Sequence, residues 1–578
     1  MANDIVNYHS YYANFAMDVD IIKNMLSVRL VYGLNHETGR RTSYIPKDVY
    51  FGLVKKSRGS LGYVERQYET MEGMINFNHN FWNALDFNAV VGMGRYVDKG
   101  NGMTVSYQNA NDMIQDTNLG AADGPFVPSS YKYENEKRSQ FARASFILFD
   151  KYVLAATVRR DGTDKFFDNK KYSWFPSVSG AWKVSQEKFL RNLTWLNLLK
   201  VRASYGVTGS DNLGTSLYGT VGVSREDIKF SNGSVTYVPF VLLGGSYDDV
   251  TWQKTTMKNF GIDFVVLNNR LSGNFDIFRN DVTNMLGTAY TSLLNMYPTR
   301  PVNGAHYKRT GVELSLNSEN IRTSDFTWTT SLALSHYRAN WVERMPNYDY
   351  KTYQQRENEP MSAYYYYNTT GIINADRSNM PESQRSLPID AQKPGFPIID
   401  DRNGNGVIDE GDIYMDDLLP KLYYGFGNTF IYKNWDLDIY MYGQLGVEKY
   451  NNTKAANCSA GNLSSGISAA NPTDYAFTAW NSQTNPNGTT PGVATKDVTM
   501  PGNAGIKLFY EKADFLRVRN ITLGYTFDAR KWKCFKGYMQ SLRLYVDVQN
   551  PFTFTGFTGD DPEIVIASSL LSGCNYPQ

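Results

Sequence analysis

Apolar and polar residues alternate strictly along one stretch of the chain, Leu199-Lys200-Val201-Arg202-Ala203-Ser204-Tyr205-Gly206-Val207-Thr208. Successive side chains of a β-strand point to opposite faces, so this order separates an apolar face from a charged one. It predicts a strand of a membrane-spanning barrel, with Leu199, Val201, Ala203 and Tyr205 facing lipid and Arg202 and Ser204 facing the lumen. One such strand would also suit half of a soluble β-sandwich, so the arrangement of the other strands has to distinguish the two.

The same alternation recurs at 271–277 and 541–549. Strand-like segments lie near residues 10–20, 26–35, 63–80, 84–97, 139–149, 152–160, 174–184, 199–208, 257–267, 271–282, 307–317, 326–338, 422–431, 435–446, 514–527 and 541–550. Along the chain, the connections between these segments mostly alternate between short and long. Segment 185–198 is expected to hold a short helical turn. Outer-membrane barrels have short periplasmic turns and long extracellular loops.

The chain is therefore predicted to be all-β, an antiparallel transmembrane β-barrel with about 16 strands. Residues 1–578 form one partial barrel domain in this interpretation. Its long extracellular loops are expected near 98–138, 209–256, 339–421 and 447–513. The expected location is the outer membrane of a Gram-negative cell.

Composition limits the possible classes of protein. The chain has 58 Lys and Arg against 57 Asp and Glu, a net charge of +1, which argues against a nucleic-acid partner. No run of about eighteen apolar residues is present, so no transmembrane helix is predicted. Tyrosine is abundant, which suits membrane interfaces and sugar-binding surfaces. Four aromatic residues near strand ends are predicted to belong to an interface girdle: Tyr152, Trp174, Tyr205 and Trp435.

Catalytic motifs are absent from the sequence. It contains no HExxH, GxSxG, Walker or GxGxxG motif, so no catalytic or cofactor-binding residues are assigned and the protein is not expected to be an enzyme. Its histidines are scattered. Cys458, Cys534 and Cys574 form no CxxC motif, so neither a zinc site nor a disulfide framework is predicted.

One segment does match a metal-binding pattern, the twelve-residue calcium loop. Its oxygen ligands would come from Asp401, Asn403, Asn405, the Val407 carbonyl, Asp409 and Asp412. Position twelve is Asp where the pattern has Glu, which shortens the bidentate reach. The alternative is a solvated run of Asx turns. We expect a Ca2+ ion because the spacing matches in full. Its role is expected to be structural, since the loop 339–421 has few apolar anchors and an ion would offset part of the entropy of ordering it.

The run Tyr364-Tyr365-Tyr366-Tyr367 lies in the same long loop. These rings could stack on a sugar, or they could pack the loop against its neighbours. Packing is the favoured interpretation.

Four blocks of sequence carry a resemblance to a known family. They are Ala155–Gly162 with Trp174–Ser179; Leu199–Gly209; Pro394-Gly395 with Asp401–Asp409 and Pro420–Gly425; and Phe515–Tyr525 with Leu544–Asn550 and Asp561–Glu563. In order and spacing the chain resembles the SusC/RagA family of TonB-dependent outer-membrane transporters. The resemblance covers residues from about 140 to the end.

This resemblance implies a barrel of about 22 strands around an N-terminal plug. It also implies import of oligosaccharides or peptides, energised through the TonB complex, with a SusD-like lipoprotein as lid and outer-membrane lipid around the wall. Met1-Ala2-Asn3-Asp4 is no signal peptide, and Asn575–Gln578 ends where family members continue. The sequence is therefore expected to be a fragment. Two other functions remain open, a passive porin-like channel and a soluble β-rich glycan-binding protein or enzyme.

Overall fold

The computed structural model describes most of the chain. The described residues are 3–48, 57–109, 119–122, 124–213, 217, 220–223, 230–231, 236–237, 240–292, 298–348, 350–356, 358–451, 477–493, 495, 498–531, 539–559 and 561–563. Cys458, Cys534, Cys574 and Asn575–Gln578 lie outside these ranges, as do parts of the expected loops at 98–138, 209–256, 339–421 and 447–513.

Sixteen strands form one antiparallel sheet in which each strand pairs with the next wall strand along the chain. They are β1 Asn3–Ile22, β2 Leu26–Ile45, β3 Arg58–Phe81, β4 Leu85–Gln108, β5 Val127–Leu148, β6 Tyr152–Thr163, β7 Tyr172–Lys183, β8 Leu196–Ser210, β9 Gln253–Val266, β10 Leu271–Tyr290, β11 Thr299–Arg322, β12 Phe326–Glu343, β13 Leu422–Tyr432, β14 Trp435–Leu445, β15 Phe515–Asp528 and β16 Ser541–Thr555. The sixteen predicted segments correspond to these strands one to one. Within the described residues, no helix has both the length and the apolar character needed to cross a membrane.

The predicted long loop at 98–138 is wrong in its extent. Strand β4 continues to Gln108 and β5 begins at Val127, and the two remain paired up to Ser106 and Val127. The apolar alternation stops earlier because the outer ends of these strands carry polar side chains on both faces. Backbone pairing continues there because hydrogen bonds between strands do not depend on a lipid neighbour.

The other end of the sheet has the shorter connections. Phe149 and Asp150 take the left-handed conformation, with φ of 53° and 59°, which reverses the chain within a few residues. Leu267, Asn268 and Asn269 do the same before β10. The helical turn expected within 185–198 begins one residue earlier, as a 3-10 turn at Val184–Gln186. We call this the short-turn end and the opposite one the long-loop end.

The two faces of the sheet differ as the alternation predicts. Ala203 lies opposite Phe260, which lies opposite Ile277, which lies opposite Val312, so a row of apolar side chains crosses four strands. Phe260, Ile277 and Val312 are 45%, 47% and 38% exposed. A continuous row of apolar side chains this exposed indicates the outward-facing apolar band of a transmembrane barrel.

Aromatic residues border this apolar face at the short-turn end. Tyr152 stacks on Trp182 with ring centroids 6.4 Å apart, and both side chains donate hydrogen bonds to Glu187. Trp435 packs edge-on against Tyr525 at 4.7 Å. These contacts suit the predicted interface girdle, because an aromatic ring with a polar edge is stable where lipid meets water.

Residues beyond the long-loop end build a folded layer of their own. Segments 344–421 and 446–514 contribute to it, and we call their described parts the loop layer. Its buried core comprises Tyr353, Tyr367, Ile373, Leu387, Ala391, Phe396, Ile398, Ile399, Ile408, Ile413, Met500 and Ala504. The expectation that 339–421 has few apolar anchors is wrong. These residues are dispersed among Gly, Asn and Asp and show no strand or helix period, which hid the core from pattern analysis.

Candidate functional site

Aromatic rings and one arginine gather on the polar face near the long-loop end. Gly311 lies between Phe278 on β10 and Tyr337 on β12. A Cβ atom at Gly311 would meet the Phe278 ring at 2.6 Å and the Tyr337 Cβ at 2.7 Å, so glycine is needed for the two rings to approach. Tyr337 stacks on Tyr423 of β13, with centroids 5.8 Å apart and an interplanar angle of 4°.

The Arg309 guanidinium covers this group of rings. Its Cζ lies 4.0 Å from the centre of the Tyr337 ring and 5.8 Å from that of Phe278. A groove of about 470 Å3 adjoins it, lined in part by Ser204, Asn259 and Glu313. We call Phe278, Arg309, Tyr337 and Tyr423 the polar-face cluster. Flat rings, a cation, a carboxylate and neutral hydrogen-bonding groups can hold a polar ligand by stacking and hydrogen bonds.

A balanced charge network lies on the same face toward the short-turn end. Arg202 donates to Asp276 at 2.6 Å and to Asp263 at 3.0 Å, and Lys200 contacts Asp263 at 3.0 Å. Asn259 of β9 accepts a hydrogen bond from Arg202 of β8 and donates one to Asp276 of β10, which connects these three strands. These hydrogen bonds satisfy the inward charges of the alternating strands and confirm that Lys200 and Arg202 share the polar face.

The tyrosine run of the loop layer forms a ladder of rings. Tyr364 stacks on Tyr510 at 4.5 Å and on Tyr366 at 5.0 Å, and Tyr366 stacks on Tyr414 at 5.7 Å. Arg402 closes the ladder with its Cζ 4.8 Å above the Tyr414 ring. The strand Ala363–Tyr367 that carries the run pairs with Tyr414–Asp417 and with Gly505–Ile506. The rings therefore pack against their neighbours, as favoured from the sequence.

Hydroxyl groups of this ladder have their own partners. Tyr364 donates to Glu448 at 2.7 Å, and Tyr366 donates to Asp416 at 2.5 Å. Lys507 lies between these acids, 2.7 Å from Glu448 and 4.6 Å from the centre of the Tyr366 ring. Burial, followed by the hydrogen bond to Asp416, raises the pKa of Tyr366 to about 12. These phenols stay protonated at neutral pH and act as hydrogen-bond donors that join distant loop segments.

The predicted calcium loop adopts an ordered series of turns. Asp401 accepts hydrogen bonds from the Gly404 and Gly406 amides at 2.8 and 2.9 Å. Asn403 and Asn405 accept from amides two residues further on, at 2.9 and 2.8 Å, the Asn405 bond coming from Val407. Gly404 and Gly406 have φ of 70° and 83°, which glycine adopts without strain.

The acidic end of this loop is anchored in the protein. Asp412 is fully buried and accepts from the amides of Asn403 at 3.2 Å and Asp409 at 2.9 Å. Asp409 accepts from the Gly411 amide at 2.7 Å. Among the residues that the structure describes, no group of three or more His, Cys, Asp or Glu is placed to hold a metal ion. The turns are therefore present, and the calcium site stays a prediction.

The polar-face cluster was not singled out from the sequence. Phe278 extends the polar face of the 271–277 segment by one step, and Tyr337 and Tyr423 lie on the polar faces of their strands. An aromatic residue on the polar face of an alternating strand is the signal that marks them. The aromatic residues near strand ends predict an interface girdle, and that criterion does not distinguish Phe278, Tyr337 or Tyr423.

The fold with its apolar band, polar inner face and large loops defines a β-barrel of the outer membrane. The family model described as TonB dependent receptor-like, beta-barrel matches residues 3–551, and the chain belongs to this family. Its polar face therefore faces the barrel lumen. Similarity to SusC-type receptors confirms the SusC/RagA type and the outer-membrane location expected from the sequence.

Two receptors and one solved structure illustrate this similarity. The chain is 27% identical to TonB-dependent receptor P3 of Formosa agariphila, over 96% of the chain and 54% of that protein. It is 28% identical to TonB-dependent receptor SusC of Bacteroides thetaiotaomicron, over 78% of the chain and 43% of that protein. The RagAB peptide transporter superposes with a TM-score of 0.78 at 19% identity, covering 97% of the chain and 60% of its own, which shows the shared fold. The chain thus spans about half the length of the curated relatives it matches.

Proposed function

We propose that this chain is the barrel wall of a transporter that imports oligosaccharides or peptides with energy from the TonB complex. A SusD-like lipoprotein covers its long-loop end in this proposal. The observation that carries the proposal is the polar-face cluster, a set of stacked rings and an arginine on the lumen side of a family barrel. Stacking rings suit both sugar faces and peptide side chains.

The kinds of relatives support the same proposal. One similar receptor is named SusC, and the RagAB structure is described as a peptide transporter. The loop layer supplies a broad folded surface for a lid, because its buried core holds the loops in place. A passive channel needs neither the TonB complex nor a lid, so energy dependence separates the two functions.

Uptake by the intact transporter tests the proposal. We expect uptake to be lost in a strain that lacks TonB function, and also in a strain that lacks the lid lipoprotein. Undiminished uptake in the TonB-deficient strain would refute active transport and favour a passive channel.

A variant of the polar-face cluster tests its role in cargo binding. Tyr337→Ala removes a stacking ring, and aromatic contacts of this kind contribute about 0.5–1.5 kcal/mol, so half-saturation of uptake should rise roughly two- to tenfold. Tyr545→Ala removes an exposed lumen tyrosine on β16 and is the matched control. Equal effects of the two substitutions, at equal surface levels, would show that the cluster has no particular role.

We further propose that the loop 401–412 binds Ca2+ through Asp401, Asn403, Asn405, Val407, Asp409 and Asp412. Three carboxylates, two amide oxygens and one carbonyl form a set of hard oxygen donors, which suits calcium over zinc. The accepted amide hydrogen bonds already hold the loop in turns, and carboxylate oxygens keep a second lone pair for an ion. Extracellular calcium sites can be as weak as about 0.1–1 mM.

Calorimetric titration of the detergent-purified intact transporter with Ca2+ tests this site. Asp401→Ala with Asp409→Ala should abolish the binding heat and make 401–412 sensitive to protease, and chelation should do the same to the parent protein. Asp376→Ala with Asp390→Ala removes two exposed acids of the same layer and should change neither property. No binding heat at millimolar calcium would leave the segment as a run of turns.

A further inference from the structure

The apolar face of the wall carries a groove with a basic rim between β2 and β7. One row across the strands reads Leu30, Gly73, Met93, Gln140, Arg160 and Trp174, and the next row toward the long-loop end reads Tyr32, Met71, Arg95, Arg138, Gly162 and Tyr172. Gly73 leaves a gap in the first row between Leu30 and Met93. The resulting groove has a volume of about 550 Å3.

The floor of this groove is apolar and open to the surroundings. Leu30, Met71 and Met93 are 44%, 41% and 65% exposed. They share their face with the apolar band, as the unbroken register through β2 to β8 shows. A surface of this kind accommodates acyl chains.

Three arginines border the groove where the apolar band ends. Arg160 is held over the Tyr172 ring at 4.2 Å and donates to Gln140 at 3.4 Å. Arg95 and Arg138 share the carboxylate of Glu136, at 2.6 and 2.5 Å. Each of these two guanidinium groups keeps further N–H donors, because a guanidinium has five.

The three arginines of this rim share few carboxylates in direct contact. Arg95 and Arg138 both contact Glu136, whereas Arg160 contacts the neutral side chains of Gln140 and Tyr172. Lys99 and Glu134 pair with each other at 3.3 Å. The rim is therefore complementary to an anion that brings several acceptor oxygens, such as a phosphate.

The position of the rim identifies the leaflet. Arg160 lies eight residues beyond Tyr152, the girdle residue at the short-turn end of the same strand. Eight residues extend about 26 Å along a strand, or roughly 20 Å along the membrane normal at the usual tilt. That is close to the height of the apolar band, so the arginines lie at its far boundary. Long loops are extracellular in such barrels, which puts this boundary in the outer leaflet.

A second groove repeats the arrangement farther round the wall. Phe260, Ile277 and Val312 form its floor and Lys258, Arg279 and Arg338 its rim, with a volume of about 510 Å3. Asp281 pairs with Arg279 at 2.8 Å and Asp417 with Arg338 at 2.6 Å, so three cations face two anions. Lys258 lies eight residues from Val266, where its strand reaches the short-turn end. The same separation lies between Arg160 and Tyr152 on β6.

We infer that both grooves bind phosphate-bearing lipids of the outer leaflet, with acyl chains on the apolar floor and the phosphate on the basic rim. Arginine recognises phosphate through paired N–H donors, and basic pockets at a membrane boundary bind anionic headgroups. The inference concerns the outside of the wall and is independent of cargo and of TonB.

Titration of the detergent-purified intact transporter with diphosphorylated lipid A, followed by native mass spectrometry, tests the first groove. Arg138→Gln with Arg160→Gln should weaken binding about tenfold, and the dephosphorylated lipid should bind the parent protein as weakly. Arg191→Gln with Arg322→Gln removes two exposed arginines at the short-turn end and should leave the affinity unchanged. Inorganic phosphate should not compete below millimolar concentrations, because it cannot use the apolar floor.

A variant with the opposite effect guards against misfolding. Glu136→Gln removes the carboxylate shared by Arg95 and Arg138 and should tighten lipid binding severalfold. The inference is overturned if Glu136→Gln fails to tighten binding, if the phosphate-free lipid binds equally well, or if both arginine pairs lose affinity to the same extent. Competition by micromolar inorganic phosphate would also overturn it, since the site would then hold a free ion and not a lipid.

Discussion

Adjacent residues on one strand of this wall experience different solvents. Ala203 lies on the apolar face opposite Gly180 and Phe260, whereas Ser204 lies on the polar face opposite Ser179 and Asn259. The two side chains are of similar size and both are exposed. The surroundings of each position, lipid or water, therefore determine which substitutions it tolerates.

Ala203→Arg and Ser204→Arg form a matched pair that tests this difference. Arginine near the middle of the lipid face costs about 2–4 kcal/mol, whereas the lumen face already holds Arg202 in a satisfied network. We expect Ala203→Arg to reduce the folded, heat-modifiable barrel in outer-membrane fractions and Ser204→Arg to leave it nearly unchanged. Equal losses would show that the assignment of faces is wrong.

The loop layer is held by its own apolar core and by long-range hydrogen bonds. Tyr367 is fully buried and donates to the carbonyl oxygens of Asp409 at 2.9 Å and Pro501 at 3.1 Å, which joins two long loops. Ile408 within the loop 401–412 and Ile413 directly after it belong to the same core. The layer therefore has its own stability, and an ion at 401–412 would order only its immediate surroundings.

Phe396→Ala should loosen this layer without disturbing the wall. Phe396 is fully buried in the loop core, and truncation of a buried phenylalanine costs about 3–5 kcal/mol. Limited proteolysis should then cut the loops faster while the barrel fragment stays protected. Phe477→Ala, at a residue of the same layer that is 81% exposed, is the control and should cut at the parent rate. Equal cleavage of both variants would contradict a cooperative loop core.

The sheet of sixteen wall strands is open among the residues that the structure describes. Strands β1 and β16 stand at its two edges, each with one partner among the described strands. Unpaired amide and carbonyl groups are costly in lipid, so a wall of this kind needs further strands to close.

Residues 1–578 expressed by themselves should consequently aggregate or fail to insert as a monomer. Size-exclusion chromatography after refolding with detergent, followed by conductance in planar bilayers, measures this outcome. A stable monomer that conducts ions with no sequence added would contradict the expectation and favour a small passive channel.

The wall could be predicted from the sequence because its information is local. Each strand pairs with the next wall strand along the chain, and the alternation over 199–208 alone separates Ala203 from Ser204. The oxygens of the 401–412 loop could likewise be listed from spacing, since Asp401, Asn403 and Asn405 bond amides within five residues. What the alternation could not show is how far β4 and β5 continue beyond the membrane, because the apolar pattern ends where lipid ends.

Only the tertiary structure brought together residues that are distant in sequence. Tyr364 meets Tyr510, Tyr367 meets Pro501, and Arg309 covers Tyr337 across neighbouring strands. The basic rims of the outer grooves also arise only when register aligns side chains from several strands. Alternation specifies which face a side chain takes, because the strand period is two, but pairing register and loop packing specify its neighbours.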